Sequence, residues 1–566
     1  MTCRFIILFL LPVFIMIAMS CASRGVPGGG PVDRTPPEIL ATEPARDSTG
    51  IKKLDEIVIL FSERMDEPSV QNAIFISPPL EYEMDWSGGD EVTLTIQDTL
   101  KQDVTYVVTI GSGASDSRRN RMAQSYQFAF STGDTIQRGQ INGLVYDISE
   151  KDPFYVYAYQ MSGKSTEEVD PSKQPADFFT QPGANGAFSL SYLGPGKYRI
   201  FIVEDQNRNF ILDSDYERVG IPVNDVVLDS TQNHLDQLYF RVTRIDTIPP
   251  QITGARALNR TRILVRLSEP VNPVDQDAVT IRDKLNGNVL NIRSVIRNKQ
   301  EENQYFIFTD EQITGSEYQL LVTQLCDTSG NCQDSIQLAD FSAAADSDTV
   351  AFRIMKISPA DSARNVAIGR PVEIQISKAV DTVSFAAASI IKSELGDTLP
   401  ASWQWDNLES GYLNIMHGYR PGQTYQFNLQ SKNVRSVWGE TLIDTSISRI
   451  FSTRSEDDFG SLSGIVNLPE IYAALTKLFI KPIGGRVSPM LLTAGNDKVF
   501  RVPWLLEGKY ILGGYIDLDQ DQKYSYGNIY PFEYAEPYYV KPDTISIRKR
   551  WEISDIDFFI PVLEMQ

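Results

Sequence analysis

The chain has 566 residues, 42% of them hydrophobic, and this length exceeds what one hydrophobic core usually organises, so several domains are expected. Its 52 basic and 73 acidic residues give a formal net charge of −21, and the basic residues form no long run, which argues against a nucleic-acid partner. The 31 Pro, 37 Gly, 25 Tyr and 27 Phe, with short Val-, Ile- and Thr-rich runs between turn residues, favour an all-β chain.

The first 21 residues, MTCRFIILFLLPVFIMIAMSC, place one cation before an apolar run from Phe5 to Met19. This pattern is typical of an export signal, because the run is shorter than the roughly 20 residues that a membrane-spanning helix needs. Residues 18–21, Ala-Met-Ser-Cys, resemble the lipobox of bacterial lipoproteins, in which the cysteine thiol receives a diacylglycerol. Residues 1–20 are therefore predicted to be a signal peptide and Cys21 a lipidated residue. An ordinary secretory signal with an incidental Cys21 is the alternative.

The Gly- and Pro-rich stretch at 21–33 cannot pack a core and is predicted to be a lipidated tether. Two or more acyl chains on one residue suffice for a stable membrane anchor. The resemblance implies a lipid-anchored protein of the cell envelope. In Gram-negative lipoproteins an aspartate after the cysteine favours the inner membrane, and Ala22 stands there, so the outer membrane is favoured, with the leaflet undetermined.

Three segments, 34–134, 246–345 and 348–454, share one order of motifs. In each segment one strand ends at Phe-Ser or its equivalent, and a later strand contains a Tyr. The distance from that Phe, or its equivalent, to the Tyr is 45, 51 or 49 residues. The pairs are Phe61 and Tyr106, Leu267 and Tyr318, and Ile376 and Tyr425. Strands such as VEIQI at 372–376 alternate apolar and polar residues, which indicates one buried face. The pattern predicts three copies of an immunoglobulin-like sandwich, with a β-barrel as the weaker alternative.

Within 34–134, the motifs TPPEILATEPARDSTGI, FSERMDEPSV, TYVVTI and FAFSTGD resemble the bacterial Ig-like domain named after the S-layer protein SbsA. The copy at 348–454 follows the pattern with Lys378 in place of the acidic residue. The copy at 246–345 keeps Leu-Ser-Glu-Pro but departs at the final Phe-Ser-Thr strand. The resemblance implies extracellular spacers in bacterial surface and envelope proteins, usually without catalytic residues.

Two further segments, 137–243 and 457–566, are copies of another unit. Each opens with a short strand, GQINGLVYD or GSLSGIVNL, and later contains a strand that begins Gly-Lys-Tyr. They resemble prealbumin-like or carboxypeptidase-regulatory-like sandwiches. The whole chain is therefore predicted to be a tandem array of five β-sandwich domains, Ig-like and prealbumin-like, behind a lipoprotein signal peptide.

An acidic turn follows each Gly-Lys-Tyr strand. Carboxylates at alternate positions of a turn can direct their oxygens to a common centre, and Ca²⁺ binds six to eight such oxygens. A structural Ca²⁺ site and a solvated acidic turn both remain open. The candidate ligands are Asp205, Asn207, Asn209 and Asp213 in the first copy and Asp517, Asp519 and Asp521 in the second.

Cys326 and Cys332 bracket a turn, and in an oxidising envelope they are predicted to form a disulfide. The two histidines, His234 and His417, fall in different predicted domains, so a catalytic triad or a two-histidine zinc site is not expected. An envelope hydrolase is the least favoured hypothesis.

The segment 524–540, YSYGNIYPFEYAEPYYV, contains seven aromatic residues. If exposed, Tyr526, Tyr530, Phe532 and Tyr534 would form a platform for sugar rings or a protein partner; otherwise the segment is a loop folded over its own sandwich. The leading hypothesis is a non-enzymatic envelope lipoprotein that acts as a scaffold, spacer or adhesion protein on the membrane. The alternative is a glycan-binding surface lipoprotein.

Overall fold

The computed structural model describes residues 33–149, 152–165, 168–298, 300–369, 372–484, 490–495 and 497–561. This part of the chain is all-β, a tandem array of β-sandwiches with 39 strands and only short helical turns. The predicted signal peptide at 1–20 and Cys21 lie outside the described residues. Within the described ranges, no helix is long and apolar enough to cross a membrane.

The chain divides into two compact units. Unit 1 comprises the described parts of 1–165, 174–210 and 226–238, and unit 2 comprises those of 166–173, 211–225 and 239–566. The predicted segment 137–243 is therefore divided between the units. Each of the other four predicted segments contains two sheets of its own.

Unit 1 begins with an Ig-like sandwich whose sheets run in the orders β1-β2-β5-β4 and β3-β6-β7. Its elements are β1 (Ile39–Glu43), β2 (Glu56–Phe61), α1 (Glu67–Gln71), β3 (Ile74–Ser77), β4 (Tyr82–Ser87), β5 (Glu91–Ile96), β6 (Thr105–Ile110) and β7 (Tyr126–Ser131). Alternate residues of β2, namely Ile57, Ile59 and Phe61, are buried in the core with Val108 and Phe128. The apolar side chains on the buried face of this alternating pattern thus pack the two sheets against each other.

The segment 137–243 forms the next strands of the chain. They are β8 (Gly139–Tyr146), β9 (Phe154–Gln160), β10 (Phe178–Thr180), β11 (Ala187–Leu193), β12 (Gly196–Glu204), β13 (Arg218–Gly220), β14 (Val226–Leu228), β15 (His234–Arg241) and β16 (Thr243–Arg244). In unit 1, β8 pairs with β11, and β12 pairs with β9 and β14. In unit 2, β13 pairs with β16.

Unit 2 contains two further Ig-like sandwiches. The first comprises β17 (Ile252–Asn259), β18 (Arg262–Leu267), a 3-10 turn (Gln276–Ala278), β19 (Val279–Asp283), β20 (Ile292–Arg297), β21 (Gln304–Thr309), β22 (Glu317–Val322) and β23 (Gln337–Ser342). The second comprises β24 (Ile354–Ser358), β25 (Ala363–Val366), β26 (Glu373–Ile376), α2 (Thr382–Ala388), β27 (Ser389–Ser393), β28 (Ala401–Asn407), β29 (Ser410–Ile415), β30 (Thr424–Leu429), a 3-10 turn (Ser431–Asn433) and β31 (Ile447–Thr453). Their first sheets, β17-β18-β21-β20 and β24-β26-β29-β28, repeat the order seen in unit 1.

The final sandwich of unit 2 has sheets β35-β32-β39 and β34-β33-β36-β37, with β38 also on β36. Its elements are a 3-10 turn (Glu456–Asp458), β32 (Phe459–Val466), α3 (Glu470–Ala473), β33 (Thr476–Pro482), β34 (Met490–Thr493), β35 (Val499–Leu506), β36 (Gly508–Ile516), β37 (Tyr538–Val540), β38 (Ile545–Ile547) and β39 (Glu552–Phe558). The strand β36 carries the Gly-Lys-Tyr motif and ends directly before the acidic turn.

Candidate functional site

Three carboxylates converge at the end of β36: Asp517, Asp519 and Glu536 each offer an oxygen, and these oxygens lie within 4.8 Å of one another. Glu536 reaches the cluster through strand register. The strand β37 pairs antiparallel with β36, with Tyr515 opposite Tyr538, so two residues further on Asp517 comes opposite Glu536. Ile516 continues this pairing by donating its N–H to the carbonyl of Pro537.

Asp517 is the most buried member of the cluster, with 1% of its surface exposed. Its Oδ2 accepts a hydrogen bond from the Gln522 N–H at 3.2 Å, and the Lys477 ammonium lies 3.7 Å from the same oxygen. Its Oδ1 is buried and has no hydrogen-bond partner among the described residues. A buried carboxylate oxygen is therefore left without a donor.

Asp519 and Asp521 lie on the exposed side of the turn. Asp519 Oδ2 accepts from the Ser525 hydroxyl at 2.7 Å, and that hydrogen bond is the main cause that lowers the pKa of Asp519. Asp521 directs its carboxylate to the Lys523 N–H at 2.7 Å, outside the three-carboxylate cluster. The cluster thus contains two of the three predicted aspartates together with Glu536.

Glu536 accepts hydrogen bonds from two backbone N–H groups at opposite ends of the acidic turn. Its carboxylate accepts from the N–H of Leu518 and from that of Ser525, the latter at 3.0 Å. Burial raises the pKa of Glu536 to about 7, and the charges of Asp519 and Asp517 add to the rise while the two hydrogen bonds oppose it. The cluster therefore concentrates negative charge at a poorly solvated point.

In the corresponding turn of the first copy, the buried aspartate accepts hydrogen bonds at both of its carboxylate oxygens. Asp205 is fully buried, its Oδ1 accepts from Asn209 N–H at 3.2 Å, and its Oδ2 accepts from Phe210 N–H at 3.0 Å and from the Tyr157 hydroxyl at 2.9 Å. Asn207 Oδ1 also accepts from Asn209 N–H, at 3.1 Å. Both oxygens of Asp205 thus have protein donors.

The remaining ligand predicted for the first copy, Asp213, lies in unit 2. Its Oδ2 accepts from the Tyr216 hydroxyl at 2.8 Å, and its N–H donates to Glu217 at 2.9 Å. Calcium binding by the first copy remains a prediction.

The aromatic segment 524–540 packs around Arg241 of unit 2. The Arg241 guanidinium lies 5.1, 4.9 and 4.7 Å from the ring centroids of Tyr524, Tyr526 and Tyr538. The N–H of Ala535 donates to the Pro222 carbonyl at 3.0 Å. Aromatic faces over a guanidinium contribute cation–π attraction, so this part of the segment is held in place by its own chain.

The other predicted platform residues form no coplanar strip. Phe532 and Tyr534 meet at an interplanar angle of 84°, with their centroids 4.9 Å apart. Tyr530 is 83% exposed and stands with its ring 5.9 Å from the Lys173 ammonium. The segment is thus mostly a packed loop, with Tyr530 and Tyr534 exposed at its surface.

Two of the three Ig-like copies contain a cluster of three carboxylates at equivalent positions. In the first copy Asp33, Glu63 and Asp116 come together, and in the second Asp246, Glu269 and Asp327 do so. Each central glutamate has a raised pKa, first because of burial and then because of the neighbouring aspartates; that of Glu269 is about 7.

The third copy reverses the charge at this position. Lys378 stands where the other copies have glutamate, and its ammonium lies 2.9 Å from Glu440 and 3.9 Å from Asp348. Ser436 takes the place of the turn aspartate, because the bridges Met65 to Asp116 and Val380 to Ser436 are equivalent. The repulsion between carboxylates in two copies is replaced by ion pairing in the third.

Cys326 and Cys332 form a disulfide, as their spacing predicts. They flank the turn that carries Asp327, whose Oδ1 accepts from the N–H groups of Ser329 and Asn331, both at 2.8 Å. The disulfide thus closes a turn that is also held by its own aspartate.

A polar cleft of about 940 Å³ lies within unit 1. Amide, hydroxyl and guanidinium groups line it, among them Arg46, Gln124, Tyr126, Gln140, Asn142 and Asn185. The Arg46 Nε donates to the Tyr192 hydroxyl at 2.7 Å, and its guanidinium lies 5.9 Å from the ring centroid of Tyr126. No motif in the sequence indicated this cleft, because its walls come from distant strands.

The two Ig-like sandwiches of unit 2 pack directly on each other. Phe308 is buried against Ala379 and Leu408, and its ring meets that of Trp438 edge-on at 5.9 Å. Trp438 Nε1 donates to the Thr309 carbonyl at 2.8 Å.

A half-buried ion pair of 2.7 Å between Arg262 and Glu409 completes this junction. An apolar cluster, a hydrogen bond and an ion pair thus hold the two sandwiches together. The junction is therefore a specific interface and not a flexible linker.

Comparison with known proteins found several solved structures of low similarity. The N-terminal part of the bacterial S-layer protein SbsC is 12% identical with a TM-score of 0.18, over 36% of this chain and 44% of that one. Surface layer protein SbsC, domains 1-6, is 10% identical with a TM-score of 0.15, over 90% and 67%. BcpA, the major pilin subunit of Bacillus cereus, is 8% identical with a TM-score of 0.15, over 75% and 99%. This chain thus spans less than half of the first structure, and TM-scores this low carry no inference about function.

No curated protein sequence matches the chain. The model of the bacterial Ig-like domain family matches residues 33–132 and 348–453. These are the first and third of the three copies with the shared motif order, and the copy between them has diverged at its final strand. The first and third copies are therefore similar in sequence to bacterial Ig-like domains.

Proposed function

We propose that this protein is a non-enzymatic lipoprotein of the bacterial cell envelope that acts as a structural spacer or adhesion protein. The observation that carries the proposal is the directly packed junction at Phe308, Trp438 and the Arg262–Glu409 ion pair. A chain whose consecutive sandwiches are fixed to each other can hold a distal surface away from an anchor, which a flexible string of domains does poorly. The two matches to bacterial Ig-like domains support a role in the envelope.

The anchor in this proposal is a lipid on Cys21, preferably in the outer membrane, with an envelope protein or glycan as partner. The leader at 1–20 and the tether at 21–33 support it, since two or more acyl chains hold a protein stably at a membrane. Structural Ca²⁺ belongs to the same proposal and is argued in the next subsection.

The test of the anchor is Cys21→Ser in a Gram-negative host. Wild-type protein should incorporate an alkyne-labelled fatty acid, enter the detergent phase and co-sediment with outer membranes, whereas the variant should do none of these. Lys53→Ala, at an exposed position, serves as the control and should behave as wild type. Detergent partitioning that survives in Cys21→Ser would contradict the lipid anchor.

The second candidate is a glycan-binding surface lipoprotein, and the polar cleft of unit 1 favours it. Amide and guanidinium groups beside a tyrosine face are the groups that hydrogen-bond and stack on sugars. A glycan array with the purified protein tests this candidate, with Gln124→Ala and Tyr530→Ala as variants. Loss of binding in Gln124→Ala alone assigns the cleft, loss in Tyr530→Ala alone assigns the aromatic segment, and an array without binding rejects the candidate.

A further inference from the structure

We propose that Asp517, Asp519 and Glu536 form a calcium site that fastens the acidic turn after β36 to the end of the aromatic segment 524–540. Asp517 directly follows β36, Asp519 lies within the turn, and Glu536 lies two residues before β37, the strand that pairs with β36. The site is therefore built from two stretches that only the folded chain brings together.

The spacing of the three carboxylates suits a calcium ion. Their nearest oxygens lie within 4.8 Å of one another, and two oxygens bound to one Ca²⁺ at about 2.3–2.6 Å are at most about 5 Å apart. Mg²⁺ binds at about 2.0–2.1 Å, demands a near-ideal octahedron and usually keeps several waters, so a flexible acidic turn suits Ca²⁺ better. Oxygen-only donors with net negative charge select a hard divalent cation over softer metals.

Independently of the spacing, one buried oxygen of the cluster lacks a donor. Asp517 is 1% exposed, and its Oδ1 has no hydrogen-bond partner among the described residues. Burying a carboxylate oxygen without a donor or a cation is costly, because the water that solvated it in the unfolded chain is not replaced. The Lys477 ammonium does not take the place of this water, because the ammonium faces the other oxygen, Oδ2, at 3.7 Å.

The two copies of the turn differ at both oxygens of this aspartate, and first at Oδ2. The first copy has Tyr157 opposite Phe201 in the strand pairing, and the Tyr157 hydroxyl donates to Asp205 at 2.9 Å. In the second copy the same register places Phe479 opposite Gly513.

Phenylalanine has no hydroxyl, so Asp517 Oδ2 keeps the Gln522 N–H but lacks the second donor that Asp205 Oδ2 has. At Oδ1 the first copy has the Asn209 N–H as donor, whereas the equivalent Asp521 N–H donates to Asp519 at 3.1 Å. The backbone of the two turns is otherwise alike, with left-handed residues at Arg208 and Phe210 in one and at Gln520 and Gln522 in the other. The second copy has therefore lost a protein donor and gained carboxylates at the same place, which is the change expected where a cation takes over.

The direct test is isothermal titration of Ca²⁺ into the full-length protein after removal of divalent cations with EGTA. The variant is Asp519→Asn, which removes one carboxylate charge from the cluster at an exposed position. We expect Asp519→Asn to bind one calcium ion fewer, or to bind it at least tenfold more weakly. Asp521→Asn is the matched control from the same turn and should bind like the wild type.

A second variant addresses the donor that Asp517 Oδ2 lacks. Phe479→Tyr reintroduces the donor of the first copy, so we expect a higher melting temperature in EGTA and a smaller rise on addition of Ca²⁺. Equal isotherms for wild type and Asp519→Asn, or an equal loss in Asp521→Asn, would overturn the site. A calcium-dependent rise in Phe479→Tyr as large as in the wild type would contradict the inference that calcium replaces the donor lost at Asp517.

Discussion

Lys378 shows how one residue changes the electrostatics of a repeated position. In the first two Ig-like copies the equivalent residues are Glu63 and Glu269, each beside two aspartates. Their protonation is favoured because burial and neighbouring charges penalise the ionised form. In the third copy the ammonium of Lys378 pairs with Glu440 instead. The same backbone position therefore carries groups of opposite charge type in different copies.

The pH dependence of Glu269 can be predicted with its sign. Its pKa is about 7 in the folded protein and near 4.5 for an unperturbed glutamate, so the folded state holds a proton between these values that the unfolded chain releases. The stability contributed by this group is present below pH 4.5 and is lost as the pH rises through 7. Glu269→Gln should therefore stabilise its sandwich at pH 8 by up to about 1 kcal/mol, the limit that solvent screening leaves for this partly exposed group, and should give little gain at pH 4.5.

Hydrogen exchange of peptides that span β18 and β21 measures this change in the full chain. Glu302→Gln, at an exposed position of the same sandwich, serves as the control. An equal gain at both pH values would show that Glu269 acts through packing and not through its charge.

At the scale of strands, β36 and β37 show what the sequence could and could not predict. The Gly-Lys-Tyr strand and the aspartates after it were predictable, because period-two alternation and a polar turn are local patterns. Glu536 was not, because it joins the cluster only through the register of Tyr515 with Tyr538, and it lies 18 positions after Leu518 in the sequence. Asp521 has the predicted spacing but directs its carboxylate to Lys523 N–H.

The other predictions also divide into features that local sequence patterns encode and features that depend on long-range contacts. The motifs of 34–134 and 348–454 identified sandwiches that match bacterial Ig-like domains, and the spacing of Cys326 and Cys332 predicted their disulfide. The aromatic segment was ambiguous because its packing depends on Arg241, which is distant in sequence. The division of 137–243 between the units depends on long-range contacts that no local pattern encodes.

At the scale of the whole molecule, the junction between the two Ig-like sandwiches of unit 2 determines how they are held. Trp438 contributes an edge-on contact with Phe308 and a hydrogen bond to the Thr309 carbonyl. The loop that carries Trp438 is the one that in the other copies carries the cluster aspartate. One turn of the Ig-like fold thus serves as a docking element in the third copy.

Trp438→Ala should loosen this junction while leaving each sandwich folded. Loss of the ring contact and the hydrogen bond should cost about 2 kcal/mol at the interface. Small-angle X-ray scattering should show a broader distribution of interatomic distances, and limited proteolysis should cut more quickly at 343–352. Trp551→Ala removes a tryptophan that is 65% exposed and is the control, for which no change is expected. Identical scattering for both variants would mean that the junction is held without Trp438.

The aspartate-held turn has a consequence for the disulfide beside it. In the first copy Asp116 accepts from the N–H groups of Arg118 and Asn120, both at 2.8 Å, and Ser115 and Arg121 occupy the places of the two cysteines. Asp327 makes the same pair of bonds at the same distances in the second copy. Because a copy without sulfur reaches the same geometry, the covalent link reinforces a shape that the backbone already adopts. A reductant would open the bond, and the loop would keep its form.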